Sequence, residues 1–282
     1  MAEEVAAKPV GTEAEEEWPE EKKPGALRTL WNSRELVLSL TQRDIRSRYK
    51  QSVLGITWAL LQPLALMAIY TVVVSRILGV KTGSIPYPIF AYTALLPWTF
   101  HSQSLSTGTE CLVSNFNLIT KIYFLREAFP IAAVLGKTVD LALGVLVLIP
   151  LFVIYHVHVT WWALLVLPVL LMQGCLTLAI VFITSSLNLF YRDVRHVIPL
   201  LTSTWMYLSP IIYPLERVPA KYLGIYMLNP MAAFIDTYRK VALNGQAPSW
   251  DYVGLASAIS IVLLVVGYRR FKKLEPLFAE TI

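Results

Sequence analysis

Charged residues are scarce in this chain. Asp, Glu, Lys and Arg make up 15% of its 282 residues, where a soluble domain carries about 25%. Hydrophobic residues make up 56%, and the mean hydropathy is +0.56. So much apolar surface does not fit one water-soluble core, and the composition points to a membrane protein. Cysteine is nearly absent. Cys111 and Cys175 both fall in apolar segments, which excludes a disulfide framework and leaves the compartment open. Histidine is also rare, with four residues. The His156-x-His158 pair has no clustered Cys or carboxylate beside it, so it reads as a solvated loop and no metal site is expected.

Catalytic signatures are missing too. "LGKT" at 135–138 looks like the end of a phosphate-binding loop, but that motif needs Gly where this chain has Ile131. The chain is therefore not expected to hydrolyse ATP by itself. No Ser/His/Asp set has a readable spacing, and no intramembrane carboxylate pair suggests a transferase or protease. The first 25 residues are rich in Glu, Pro and Ala and show neither an apolar core nor a cleavage site, unlike a signal peptide. Residues 1–29 are expected to form an acidic, disordered cytoplasmic tail. The net charge of +5 would suit nucleic acid, but the basic residues adjoin apolar segments. Membrane lipid headgroups, not nucleic acid, are the expected partners.

What the chain has in abundance is long apolar runs. A span needs about 20 mostly apolar residues. Six candidates lie at 53–79, 86–109, 130–154, 161–188, 196–213 and 251–268. The expected fold class is an all-α integral membrane protein with six transmembrane helices, an N-terminal amphipathic interface helix and a short re-entrant helical segment before the last span. The corresponding divisions are an interface helix at 30–52, a transmembrane domain at 53–268 and a cytoplasmic C-terminal segment at 269–282. No internal repeat supports an inverted-repeat transporter.

Lys and Arg near the span ends set the orientation. With the N-terminus inside, Arg43, Arg46, Arg48, Lys50, Lys121, Arg126, Arg192, Arg195, Arg269, Arg270, Lys272 and Lys273 are cytoplasmic. Arg76, Lys81, Arg217, Lys221, Arg239 and Lys240 fall on the opposite side. Both termini are predicted cytoplasmic. At helical spacing Leu38, Thr41, Ile45 and Tyr49 share one face before the first span, with Arg43, Arg46 and Lys50 on another, although Leu36 and Leu40 fall off the apolar face. Such a helix lies in the interface; a generic basic anchor is the simpler alternative.

The fifth-to-sixth connection carries Pro210, Pro214, Pro219 and Pro230 yet stays apolar through "YLGIYMLNPMAAFI". Two short helices dipping into the outer leaflet are expected over 214–240, with an external cap as the alternative. Within the spans, Lys137 and Asp140 stand three apart on one helix and are expected to pair. The second span is rich in hydroxyls, with Ser102, Ser104, Ser106, Thr107 and Thr109. These join helices or line a path for a hydroxyl-rich substrate. Trp58, Trp98, Phe100, Trp205 and Tyr207 fall within apolar spans. Aromatic faces of this kind stack on the C–H faces of sugars, or simply pack against core and lipid.

Three stretches, in order, resemble permeases of polysaccharide-exporting ABC transporters of the type-2 exporter family. "RDIRSRYKQSVLGITWALLQPL" (43–64) resembles their entry to the first span. "NLITKIYFLREAFPIA" (117–132) is similar to their first cytoplasmic loop. "NLFYRDVRHVIPLLTSTWMYLSPIIYPLERVP" with "NPMAAFIDTYR" (188–239) is similar to their fourth-to-fifth span region and re-entrant segment. The nearest group exports O-antigen or teichoic acid, with capsule exporters as neighbours. The resemblance covers about residues 30–275 and leaves out the acidic tail.

The resemblance implies a transport subunit, not an enzyme, placed in a bacterial plasma (inner) membrane. It implies a homodimer above two copies of an ABC ATPase subunit, which hold the ATP and Mg, with none in this chain. The substrate would be a lipid-linked polysaccharide on a polyprenyl diphosphate. Asn117, Lys121, Tyr123, Arg126 and Glu127 would be exposed to the ATPase on a coupling helix at 114–127, with Tyr191, Arg192 and Asp193 as the second contact. Arg43, Arg46, Arg48 and Lys50 would meet the lipid diphosphate. Trp58, Tyr70, Trp98, Ser102, Ser106, Trp205 and Tyr207 are the candidates for the translocation path. Rival readings are a membrane enzyme of envelope lipid-linked sugar metabolism, which would need grouped carboxylates or histidines, and a passive channel.

Overall fold

A computed structural model of the protein describes residues 33–50, 54–83, 85–121 and 125–279. The expected acidic tail lies outside the described residues. Those described are helical, with no strand among them. Helix α1 spans Arg34–Tyr49. A 3₁₀ turn at Gly55–Thr57 leads into α2, Trp58–Tyr70, which widens into a π-helical stretch at Thr71–Ile77. Then come α3, Tyr87–Ser114; α4, Phe116–Lys121; and α5, Ala128–Ile154. A 3₁₀ turn at Trp161–Leu165 opens α6, Val166–Phe190. Helices α7, Val194–Tyr207; α8, Ala220–Tyr226; α9, Pro230–Ala242; and α10, Trp250–Leu274 complete the set.

Four segments are long and apolar enough to cross a membrane: Gly55–Ile77, Ala128–Ile154, Trp161–Phe190 and Trp250–Phe278. Two expected spans differ from this pattern, each for a physical reason. Helix α3 has 28 residues, which is ample length, but its polar side chains lower its hydropathy. It packs against α2, α5, α6, α7 and α9. A helix enclosed by other helices has little need of an apolar surface of its own. The span expected at 196–213 is instead a 14-residue helix, α7, about 21 Å long, followed by a non-helical stretch from Leu208. That is shorter than a hydrocarbon layer of about 30 Å.

The buried apolar residues form three clusters. One gathers Tyr87, Phe90, Ile211, Met231, Phe234 and Val253. A middle one holds Tyr92, Leu96, Phe100, Leu141, Val181 and Ile198. The third contains Val37, Leu40, Leu112, Phe129, Phe182, Phe271 and Phe278. Residues from α1 and from the last described turn share this third cluster, so both ends of the described chain lie at one end of the bundle.

Helix α1 is narrower than expected and rotated. Val37, Leu40 and Thr41 form its buried face, while Leu38 is 61% exposed. Leu40 had been expected off the apolar face. Packing against α5 selects the side that carries it.

The segment between α7 and α10 does hold two short helices. Asn229 caps α9 by accepting from the Met231 N–H at 3.1 Å, and Pro230 takes the first turn, where a missing N–H costs nothing. Asn229 also donates to the Leu208 carbonyl and Ser209 hydroxyl, tying α9 to the end of α7. Arg239, expected as an outer loop charge, is buried instead. Its guanidinium lies 3.5 Å over the Phe90 ring and donates to the Phe90, Pro210 and Ile211 carbonyls. The non-helical chain after α7 leaves those last two carbonyls without helical partners, and Arg239 supplies the missing donors.

Helices α6 and α10 pack along much of their length. Gly267 makes that possible: a Cβ there would sit 2.5 Å from the Ala179 carbonyl oxygen. Gly254 on the same helix has open space around it. Gly267→Ala is therefore expected to cost about 1–3 kcal/mol, while Gly254→Ala is neutral or slightly stabilising. Thermal unfolding of the two variants in detergent checks this, and the reverse order would refute the packing.

Candidate functional site

Polar side chains converge where α1 meets the bundle. Asp140 of α5 accepts from the Tyr49 hydroxyl at 2.6 Å and from Arg48 Nη1 at 2.6 Å. Lys137, one turn away, approaches the same carboxylate at 3.4 Å, the pairing expected from their spacing. Arg48 Nη2 also lies 3.1 Å from Asp44, its i−4 neighbour. On its other side Lys137 donates to Gln103 of α3 at 3.2 Å, and Gln103 donates to Gln62 of α2 at 2.9 Å. One carboxylate and one buried lysine thus join α1, α5, α3 and α2. The chemistry compels this: an uncompensated cation deep in a membrane costs about 2.5–3.5 kcal/mol or more. Burial, then the hydrogen bond to Asp140, pushes the Tyr49 phenol above its ordinary range, so it stays a donor.

Two cavities flank this network. A small one of about 120 Å³ is lined by Arg48, Trp58, Thr99, Gln103, Lys137 and Asp140, among others. A second of about 290 Å³ is lined by Trp98, Ser102, Gln103, Ser106, Thr107, Lys137, Thr202 and Ser203, among others. Gln103 and Lys137 belong to both walls. The second cavity is a groove between α3 and α7, with hydroxyls, the Gln103 amide and a tryptophan along it. It offers many weak hydrogen-bonding groups beside one paired cation.

The candidate path residues separate on inspection. Ser102 and Ser106 line the groove, as expected from the hydroxyl-rich sequence. Trp98 touches it but is 5% exposed and packs edge-on to Trp205 at 6.3 Å, so it is chiefly a core residue. Trp205 is half-buried and donates to Asn229 at 2.8 Å, away from the groove. Phe100 is buried. Tyr70 is half-buried against Met206. Trp58 and Tyr207 are exposed, at 53% and 60%. Helix rotation, which one sequence does not reveal, decides each case.

The basic residues expected at a lipid diphosphate also divide. Arg46 and Lys50 are exposed. Arg43 is exposed and donates to the Asn115 side chain, holding α1 to the end of α3. Arg48 is drawn inward onto Asp140 and Asp44, so it acts first as a structural tie.

Of the residues expected to face an ATPase, Asn117, Tyr191, Arg192 and Asp193 are exposed. Tyr123 lies outside the described residues, and Lys121 closes α4. Glu127 corrects the expectation. It is fully buried and pairs with Lys272 at 2.7 Å. Arg126 is half-buried and donates to the Glu275 carbonyl. A charge between two spans reads as solvated until a chain segment far along the sequence folds over it.

Asp44, Gln62, Gln103 and Gln173 were not picked out by sequence reasoning. Asp44 had a signal, the i,i+4 spacing to Arg48. Gln103 and Gln173 had one too, as amides inside apolar helices. Gln173 donates to the Pro97 carbonyl and accepts from the Tyr238 hydroxyl, linking α6, α3 and α9. Nearby, Thr177 gives its proton to the Gln173 carbonyl, so His101 Nδ1 is the donor in its 2.8 Å bond to Thr177. Among the described residues no group of three His, Cys, Asp or Glu could hold a metal ion.

Asp140→Asn leaves Lys137 without its ion-pair partner and Arg48 with Asp44 alone, while keeping an acceptor for Tyr49. The expected outcome is a loss of about 1–3 kcal/mol, less than a fully buried pair because these side chains touch solvent. Hydrogen exchange is expected to quicken in α1 while α6 and α10 keep their protection. Unchanged protection of α1 would show that the network does not hold it.

Comparison with known proteins meets this architecture. The chain is 29% identical over 258 residues to the O-antigen export system permease protein RfbA of Myxococcus xanthus, covering 91% of this chain and 98% of that protein. It is 28% identical over 249 residues to the protein of the same name from Klebsiella pneumoniae, covering 88% and 95%. It is 22% identical over 247 residues to the polysialic acid transport protein KpsM of Escherichia coli, covering 85% and 93%. With the profile of the ABC-2 type transporter family matching residues 35–243 and four helices of spanning length and hydropathy, this chain is an integral membrane protein of that family.

Proposed function

We propose that this chain is the channel-forming subunit of an ATP-driven exporter that moves a lipid-linked, O-antigen-like polysaccharide out of the bacterial cell. The observation that carries the reading is the match over nearly the whole length of O-antigen export permeases, 98% of the Myxococcus protein. Two copies of the chain form the channel, and two ABC ATPase subunits drive it from the cytoplasmic side. Six helices cross the plasma membrane: the four apolar ones, α3 enclosed among them, and α7 completed by the chain that follows it. Helices α8 and α9 enter from the outer face. Both termini are cytoplasmic; the Lys and Arg bias and the shared cluster of α1 with the C-terminal turn support this. The similarity to KpsM supports a capsule polymer as the second reading, at lower identity.

The site chemistry suits such a cargo. A sugar chain has hydroxyls and apolar ring faces, which match the hydroxyls of Ser102, Ser106, Thr107 and Ser203 and the exposed aromatics Trp58 and Tyr207. Weak, repeated contacts let a polymer slide, whereas a deep unpaired charge would hold it. Exposed Arg43, Arg46 and Lys50 stand where a diphosphate would enter beside α1. Asn117 and Tyr191–Asp193, exposed at the same end as α1, are the contacts for the ATPase, together with the loop that ends at Arg126.

Reconstitution tests this. The chain with its cognate ATPase in proteoliposomes is expected to carry a polyprenyl-diphosphate-linked oligosaccharide across the bilayer only with ATP. The chain alone is expected to hydrolyse none; hydrolysis by the purified chain, or flux without ATP, would overturn the reading. Ser102→Leu with Ser106→Leu fills the groove and is expected to slow export roughly tenfold. Hydrolysis and assembly should persist.

A further inference from the structure

The last described residues fold back onto the bundle. Past Leu274 the chain turns through a 3₁₀ segment, Glu275–Ala279, and Phe278 is fully buried. Its ring meets Phe271 at 5.4 Å and Phe190 at 6.0 Å, and the Arg126 guanidinium lies 5.9 Å over its face. Arg126 also donates to the Glu275 carbonyl. One turn earlier, Lys272 Nζ is shared between Glu127 at 2.7 Å and Glu275 at 2.9 Å. The Glu127 side chain is 1% exposed, so its charge depends on Lys272, with the Tyr268 hydroxyl 3.5 Å away.

These contacts reach two loops that are far apart in sequence. Arg126 and Glu127 end the loop after α4. Phe190 is the residue before Tyr191–Asp193. Phe278 touches Arg126 of the first loop and Phe190, the last residue of α6, from which the second loop leaves. We propose that residues 272–278 form a clasp that binds the two ATPase-facing loops into one body. Under it, a displacement of either loop reaches α5, α6 and α10 together. This deepens the function proposed above and rests on its assignment of those loops to the ATPase.

A loop fastened only at its own ends absorbs a push by local opening. Here an ion pair with a buried carboxylate and a cluster of edge-on rings hold the loop ends against α10, and both have narrow geometry. Lys272, Glu275 and Phe278 are positioning residues, since they touch neither nucleotide nor polymer.

The test uses the full chain assembled with its ATPase in proteoliposomes. Phe278→Ala opens the aromatic half of the clasp. Glu127→Gln with Lys272→Met opens the ionic half and leaves no unpaired buried charge. The readout is polymer exported per ATP hydrolysed, at equal amounts of assembled complex. Each variant is expected to lower that ratio roughly tenfold while hydrolysis and assembly continue, and Lys272→Arg is expected to keep it near the unmodified value. The clasp is overturned if the ratio is unchanged in both variants. It is equally overturned if export and hydrolysis fall in parallel, because that marks simple packing of the tail. Arg192→Glu, on the exposed part of the second loop, separates the two readings. Normal assembly and export in Arg192→Glu would count against the loop assignment itself. Defective assembly there, beside an unchanged ratio in the clasp variants, would count against the clasp alone.

Discussion

Hydrocarbon offers no hydrogen-bond partner, and helix α3 is where this protein answers that constraint. Thr93, Thr99 and Thr109 return their hydroxyl protons to carbonyls one turn back on the same helix. The Thr109 and Thr184 hydroxyls lie 2.9 Å apart, and the Pro97 carbonyl accepts from Gln173. With these hydroxyls and this carbonyl satisfied, a helix of low hydropathy becomes the hub of an apolar bundle. Among the described residues, α2, α5, α6, α7 and α9 all pack against it.

The same rule explains how charges enter the structure. Asp140 holds Lys137 and Arg48, Glu127 holds Lys272, and Arg239 is taken up by backbone carbonyls and an aromatic face. In each case a charge joins pieces that are distant in sequence. α1 is pinned to α5, the C-terminal turn to the loop after α4, and the non-helical chain after α7 to α9. Apolar packing alone would let these pieces slide, because it has no preferred direction. The ionic and hydrogen-bonded ties are directional: those of Lys272 and Arg239 sit at opposite ends of the bundle, and that of Asp140 reaches toward its middle.

The groove between α3 and α7 is the complement of this economy of charge. Lys137 reaches its edge only as a member of a neutralised network, so the other polar groups lining it are hydroxyls and the Gln103 amide, set among apolar surface. α7 is short and carries exposed Leu200, Leu201 and Tyr207 beside Ser203 and Thr204. Leu200 and Leu201 suit hydrocarbon, while Ser203 lines the groove.

Much of this was written into the sequence. Apolar run lengths determined the helices α2, α5, α6 and α10, because lipid thickness and helix rise leave little choice. The spacing of Lys137 and Asp140 determined their pairing, Asn229-Pro230 determined where α9 begins, and the shared motifs determined the family. Tertiary structure decided the rest. It chose which face of α1 is buried, drew Arg48, Glu127 and Arg239 inward, sent Trp98 to the core and stopped α7 after 14 residues. Those outcomes depend on helix rotation and on partners such as Asp140 and Lys272, 92 and 145 residues away from Arg48 and Glu127. Local periodicity reports what a helix has on its faces; which face meets protein is settled only when the distant partner arrives.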